Sequence, residues 1–131
     1  MYTDSIGDMV ARIKNAYMAG HKVVEMPYSK MKLRIGEILA QEKYIVSAEA
    51  LAEEGGKRKL KLVLRYQQKT PALSSAKRVS KPGLRVYREA KKLRNPVSGM
   101  GTGIISTSQG LMTVREAKKK KIGGELVCEV W

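Results

Sequence analysis

The apolar residues change their period along the chain, and that change restricts the fold more than any other feature. Ile6, Met9, Val10, Ile13 and Tyr17 recur at helical spacing. Ser5 with Asp8 three residues later resembles a capping box, and Gly20 is a natural stop, so the pattern predicts a helix over about Asp4 to Ala19. Lys22 to Met26 is short, β-branched in its middle and closed by Pro27, which reads as a strand. Ser29 is placed to cap a second helix. Met31, Ile35, Ile38 and Leu39 would form its buried stripe, leaving Lys30, Lys32, Arg34 and Glu37 mostly outside. The period then switches to two. Tyr44 to Leu51 and Arg58 to Tyr66 read as strands, and in the second Leu60, Leu62 and Leu64 alternate with Lys61, Val63 and Arg65. Glu53-Glu54-Gly55-Gly56-Lys57 supplies a hairpin turn between them. An α-β-α-β-β order of this kind buries two helices against one face of a three-stranded sheet.

Gln67 to Pro71 lacks a periodic pattern and reads as a linker. Beyond it, strands are expected at Ala76 to Ser80, Leu84 to Arg88, Gly103 to Ser108 and Glu125 to Trp131. Pro82-Gly83 suits the centre of a type II turn, because proline fixes its own φ and glycine accepts a positive one. Thr113 with Glu116 forms a second capping-box pattern, opening a short helix that runs through the lysine block to Gly123-Gly124. The expected fold is α+β, with an N-terminal α-β-α-β-β unit over 1–66 packed against a smaller β-rich C-terminal unit over 72–131 that carries one short helix. Residues 67–71 join the two.

Charge divides the chain at the same place. The 131 residues carry a net charge of +14. Met1 to Tyr66 holds 12 basic and 8 acidic residues, net +4, whereas Gln67 to Trp131 holds 14 basic and 4 acidic residues, net +10. Such a field attracts polyanions, and nucleic acid is the commonest partner for the asymmetry. The competing reading is a merely solvated surface. No stretch combines a basic face with a large apolar one, as a membrane-surface helix would. No apolar run approaches the roughly 18 residues needed to span a bilayer, and no secretory pattern opens the chain. With a single cysteine, Cys128, these features point to the cytosol.

Within the basic half, three places have the chemistry to hold RNA. Along Leu84-Arg85-Val86-Tyr87-Arg88, strand alternation points Leu84 and Val86 inward and sets Arg85 and Tyr87 on the outer face. A planar cation beside a ring suits phosphate next to an unstacked base or ribose. Tyr87 packed at a core edge fits the pattern equally. Ser106-Thr107-Ser108-Gln109-Gly110 follows the apolar Ile104 and Ile105 with a run of hydroxyls that donate and accept, and also reads as ordinary turn material. Gly123-Gly124-Glu125 exposes backbone beside an acid that can accept from a base amino or ribose hydroxyl, hold a nearby Lys or Arg, or simply pair with a lysine at the surface. Alternation there puts Leu126, Cys128 and Val130 on one side and Glu125, Val127 and Glu129 on the other, making Cys128 a core thiol. Lys118 to Lys121 wraps a full helical turn, so only one or two of its amines can meet one ligand.

Enzyme chemistry finds little support. His21 is the only histidine and sits in a connector far in sequence from the serines. Gly99-Met100-Gly101-Thr102-Gly103 precedes a strand, whereas the dinucleotide fingerprint follows a strand and opens a helix. Histidine and cysteine are too few for zinc. No cofactor, metal or small-molecule substrate is expected.

Read in order, Asp4-x-Ile6-x-Asp8-Met9-x-x-Arg12-Ile13-x-Asn15-Ala16, Met26-Pro27-x-Ser29-Lys30, Val79-Ser80-Lys81-Pro82-Gly83-Leu84-Arg85-Val86-Tyr87, Ile105-Ser106-Thr107-Ser108-x-Gly110-x-Met112-Thr113 and Gly123-Gly124-Glu125-Leu126 resemble the bacterial family of small-subunit ribosomal protein eight along the whole chain. The resemblance implies a primary rRNA-binding protein that meets an irregular helix in the central domain of small-subunit rRNA and helps the subunit platform assemble. It implies rRNA contacts at Tyr87, Ser106, Thr107, Ser108, Gly124 and Glu125, and further contacts at Arg12, Asn15 and Lys30. It implies small-subunit proteins five and twelve as neighbours and a monomer when free. Ser5, Gln109 and Val114 depart from the family's usual proline, basic residue and aspartate. A regulatory protein acting on messenger RNA, using the same surface, is the alternative.

Overall fold

The computed structural model describes residues 4–52 and 54–131, with backbone only at Glu54. The elements in chain order are α1 (Ser5–Met18), β1 (Val23–Pro27), α2 (Lys30–Gln41), β2 (Ile45–Ala52), β3 (Arg58–Leu64), β4 (Tyr66–Gln67), β5 (Thr70–Pro71), β6 (Ala76–Arg78), β7 (Tyr87–Arg88), β8 (Thr102–Thr107), β9 (Gly110–Thr113), α3 (Val114–Lys120) and β10 (Gly124–Val130). The fold is α+β, with antiparallel sheets throughout. Two compact units are distinguished, one of residues 11–73 and one of residues 4–10 with 74–131. No helix among the described residues is long and apolar enough to cross a membrane.

The unit of residues 11–73 holds a sheet in the order β1-β3-β2. Leu60, Leu62 and Leu64 of β3 are buried, as their alternation requires. The turn between β2 and β3 contains a 3₁₀ segment, Glu54–Gly56, while Glu53 of the expected turn lies outside the described residues. Helix α2 begins at the Ser29 cap, whose hydroxyl accepts from Lys32 N at 3.1 Å. Gly36 brings α2 close to the sheet, since a Cβ there would lie 2.8 Å from Ala48 Cβ and 3.0 Å from Leu62. Two positions of this helix differ from expectation. Lys32 is buried and Met31 is exposed. The Lys32 stem shares the face of Ile35 and Leu39, and its ammonium donates to the Pro27 carbonyl at 2.8 Å, so length lets it pack as an apolar residue and still satisfy its charge. The Tyr17 hydroxyl donates to the Tyr44 carbonyl and accepts from Arg65 N at 3.1 Å. Segment 67–71, read as a patternless linker, lies within a tight hairpin of β4 and β5. Gln68 and Lys69 both take positive φ, 50° and 72°, which gives a primed turn without the usual glycine or asparagine.

In the other unit the sheet runs β6-β10-β8-β9, with β7 also on β10. The Asp4 carboxylate accepts Gly7 N at 3.0 Å, so Asp4 caps α1 rather than Ser5. It also pairs with Arg78 Nε at 3.2 Å, and Arg78 Nη1 donates to the Val127 carbonyl at 2.6 Å. Leu93, Ile105, Met112, Val114, Ala117 and Leu126 form one buried cluster. The Thr113 cap of α3 accepts from Glu116 N at 3.1 Å, as the capping pattern predicts. The helix ends earlier than expected, because Lys121 itself adopts the left-handed conformation at φ 57°. Strand β9 completes a hairpin with β8 that the hydroxyl-rich sequence does not announce. The expected strand over Leu84 to Arg88 shortens to Tyr87–Arg88, and Leu84 is exposed, not inward. Leu84 belongs to a turn in which Leu84 N donates to Lys81 O at 2.9 Å and Lys81 N to Leu84 O at 3.0 Å. Gly83 is not among the residues of positive φ, so this turn is not type II. A bulge between Leu126 and Cys128 breaks the alternation of β10 and buries Val127, which simple alternation sends outward.

Candidate nucleic-acid interface

Strand register assembles residues that lie far apart in sequence. Glu125 of β10 stands directly opposite Tyr87 of β7 on one side and Ser106 of β8 on the other. Ser106 in turn stands opposite Leu111 of β9. Directly paired residues of an antiparallel ladder project to the same face. Tyr87, Glu125 and Ser106 therefore form one row across three strands. Tyr87 is 66% exposed, which leaves its ring open to stacking and excludes the core-edge reading.

Gly124 makes this row possible. A Cβ on Gly124 would lie 2.1 Å from the Ser106 carbonyl oxygen and 3.2 Å from Thr107 Cα. Only glycine lets β10 and β8 run this close at the point where the hydroxyl run begins. Thr107 and Gly110 then pair across a two-residue turn that holds Ser108 and Gln109, both exposed. The Thr107 hydroxyl accepts from Gln109 N at 3.0 Å and donates to Gly110 O at 2.9 Å. Both bonds shape the turn. Among the described residues, the hydroxyls of Ser106 and Ser108 have no hydrogen-bond partner, and both remain available to a ligand.

Glu125 is held from two directions. Arg85 Nη1 donates to Glu125 Oε2 at 3.0 Å, and the Ser80 hydroxyl donates to the same oxygen. Ser80 is fully buried and also accepts from Val86 N at 3.1 Å. Its hydrogen bond is the chief reason the Glu125 carboxyl stays below the usual carboxylate range; burial opposes it, and the Arg85 and Arg78 guanidiniums add to it. The carboxylate thus stays ionised, fixes the arginine beside Tyr87, and keeps Oε1 free of any partner among the described residues. Of the roles the sequence leaves open to Glu125, this geometry realises the positioning of a cation. Ser80 stands in the sequence only as one position of the Val79 to Tyr87 motif, and its importance comes from burial.

Arg12, Asn15 and Lys30 belong to the unit of residues 11–73, and each is exposed. Arg12 and Asn15 share a side of α1, three residues apart. Arg12 lines a groove of about 300 Å³ with Glu25, Pro27 and the basic run Lys57, Arg58 and Lys59, which the sequence reads only as turn and strand. Arg58 stacks over Tyr28 at 4.3 Å, and Lys59 pairs with Glu25 at 3.7 Å. Lys30 opens α2 and does not line this groove.

The glycine-rich segment and the cysteine have structural places. Gly101 and Gly103 of the glycine-rich segment are packing positions, where a Cβ would meet Val130 O at 2.7 Å and Val114 Cγ2 at 2.6 Å respectively. Cys128 is buried, and burial pushes its thiol up to about 12. No group of three or more metal-binding side chains occurs among the described residues.

Residues 4–131 match the family described as Ribosomal protein S8. The chain is 47% identical over 131 residues to small ribosomal subunit protein uS8 of Anaeromyxobacter sp. (strain K), covering 99% of this chain and 98% of that protein. It is 48% identical over 129 residues to uS8 of Dictyoglomus turgidum, covering 98% of both. It is 47% identical over 131 residues to uS8 of Spiroplasma kunkelii, covering 100% of both.

Proposed function

Because the chain belongs to the ribosomal protein S8 family, we propose that it binds small-subunit rRNA through the row of Tyr87, Glu125 and Ser106. Membership makes it a structural protein of the small ribosomal subunit in the cytoplasm, and not an enzyme. The finer reading is primary binding to the central domain of the rRNA, early in assembly of the subunit platform. Domain 72–131 supplies the principal contacts, through Tyr87, Arg85, Ser106, Thr107, Ser108, Gly124 and Glu125. Domain 1–66 adds Arg12, Asn15 and Lys30, with 67–71 as the connection. Small-subunit proteins five and twelve are the expected neighbours, and the free protein is a monomer.

The observation that carries this reading is the row itself. It places an exposed ring, an ordered carboxylate with its arginine and an unpartnered hydroxyl on one face of a basic unit. Regular A-form RNA hides its base edges, so a surface of this kind suits a distorted helix whose bases are displayed. Cations supply affinity, while the ring, hydroxyls and carboxylate supply selection.

Co-sedimentation followed by footprinting tests the proposal. The protein is expected to travel stoichiometrically with small subunits, resist a mild salt wash, and protect an irregular helix in the rRNA central domain. A protein that stays in the supernatant while binding a messenger RNA would overturn it in favour of a regulatory role.

A further inference from the structure

The sheet of β6, β10, β8 and β9 has a second face with its own charge. Arg88 stands opposite Gly124 and is the strand neighbour of Tyr87. Lys77 stands opposite Glu129, which stands opposite Gly103. Adjacent strand residues project to opposite faces, and Gly103 lies three positions from Ser106 along β8, so Arg88 and Lys77 occupy the face turned away from Tyr87, Glu125 and Ser106. There they line a groove of about 310 Å³ with Lys92, Arg94, Leu126 and Glu129.

All four cations of this groove are exposed. Among the described residues, none has a carboxylate within ion-pair distance. Arg88 and Arg94 donate only to neighbouring backbone carbonyls, Tyr87 O at 3.1 Å and Leu93 O at 3.0 Å. Glu129 is the only acid among the lining residues, leaving the groove strongly positive. Its wall is fixed, because Gly123 packs directly on the 88–90 backbone: a Cβ there would lie 2.3 Å from Arg88 O. Of its apolar lining residues Leu93 and Leu126 are buried and Val79 is partly buried, so the groove lacks the exposed large aromatic or aliphatic anchor that a protein partner would need. Phosphate contacts require only cations that can reach.

We propose that this groove holds a second stretch of RNA phosphate backbone, so that one sheet grips two separate tracts of the same rRNA, one on each face. The inference rests on the RNA-binding reading above. A protein holding two tracts at once fixes the distance between them, a direct way to help an RNA domain compact.

The test uses the full chain and a transcript of the complete small-subunit rRNA, read by hydroxyl-radical footprinting and a salt titration of affinity. Wild-type protein is compared with a variant carrying Lys77→Gln, Arg88→Gln, Lys92→Gln and Arg94→Gln together, and with Tyr87→Ala plus Ser106→Ala. All substituted side chains are at least partly exposed, and circular dichroism checks that each variant folds. Wild type is expected to protect two separated tracts. The groove variant should release one and keep the other, with the log-log salt slope reduced by about 0.7 to 0.9 for each phosphate no longer neutralised. The Tyr87 and Ser106 variant should weaken the opposite tract. A groove variant that keeps both tracts, or folds normally and releases both, overturns the two-tract inference while leaving the RNA-binding reading intact. Absence of any protection by wild type overturns both.

Discussion

The buried Ser80 hydroxyl bridges Glu125 and the backbone that leads into Tyr87. It donates to Glu125 Oε2 and accepts from Val86 N at 3.1 Å. A single side chain thereby ties the loop before β7 to β10, a strand whose Glu125 lies 45 residues further along the chain than Ser80.

Ser80→Ala is expected to cost about 1–3 kcal/mol at neutral pH, since it removes a hydrogen bond to a charged group and orphans the Val86 N–H. Part of that cost depends on pH. The Glu125 carboxyl is lowered in the folded state, so its contribution to stability is fully present above its unfolded pKa and fades as pH falls through the folded one. The gap between wild type and variant should therefore narrow on acidification. Denaturant titrations at neutral and acidic pH measure it. A gap of constant size would show that Glu125 is not stabilised through Ser80.

Gly124→Ala places a methyl group against the Ser106 carbonyl, where backbone rather than a flexible side chain must yield. We expect a loss of about 1–3 kcal/mol, typical of overpacking, together with weaker rRNA binding as β8 is pushed away from β10. An unfolding midpoint equal to wild type would contradict the close approach of the two strands.

Tyr87→Ala and Ser108→Ala should weaken binding to the irregular rRNA helix more than to an unrelated duplex. For the tyrosine the loss is about 1–3 kcal/mol, the range for a stacked base. Parallel titrations with the two RNAs decide the matter, and equal losses on both would show that these residues do not select.

Cys128 should be inert to a thiol reagent at about pH 8 in the native protein and react fully in denaturant. Burial raises its thiol from 9.0 to about 12, so between those values the unfolded chain gains a thiolate that the folded one resists, and stability declines across that alkaline interval. Rapid native labelling would place the sulfur at the surface.

Most of the fold can be read from period alone. The stripes of α1 and α2 and the leucine alternation of β3 each bury one face, and one face is all that local pattern encodes. Lys32 escapes that reading because its stem is as long as an apolar side chain and its charge finds a carbonyl. The Gln68-Lys69 turn escapes it because neither residue advertises positive φ. Val127 is buried by a bulge that depends on how β10 meets β8. The candidate site behaves likewise. Sequence marks Tyr87, Ser106 and Glu125 one by one through side-chain chemistry. Their adjacency is a product of long-range register, and the role of Ser80, one position of the Val79 to Tyr87 motif, follows only from its burial between them.

Strand β10 pairs with β6, β7 and β8 at once, and its bulge keeps Glu125 on one face and Glu129 on the other. The strand is therefore a ruler as well as a scaffold. Adding or deleting a single residue between Gly124 and the bulge would exchange inside for outside along that stretch. The length of this strand is therefore as tightly fixed as the glycine and the buried side chains along it.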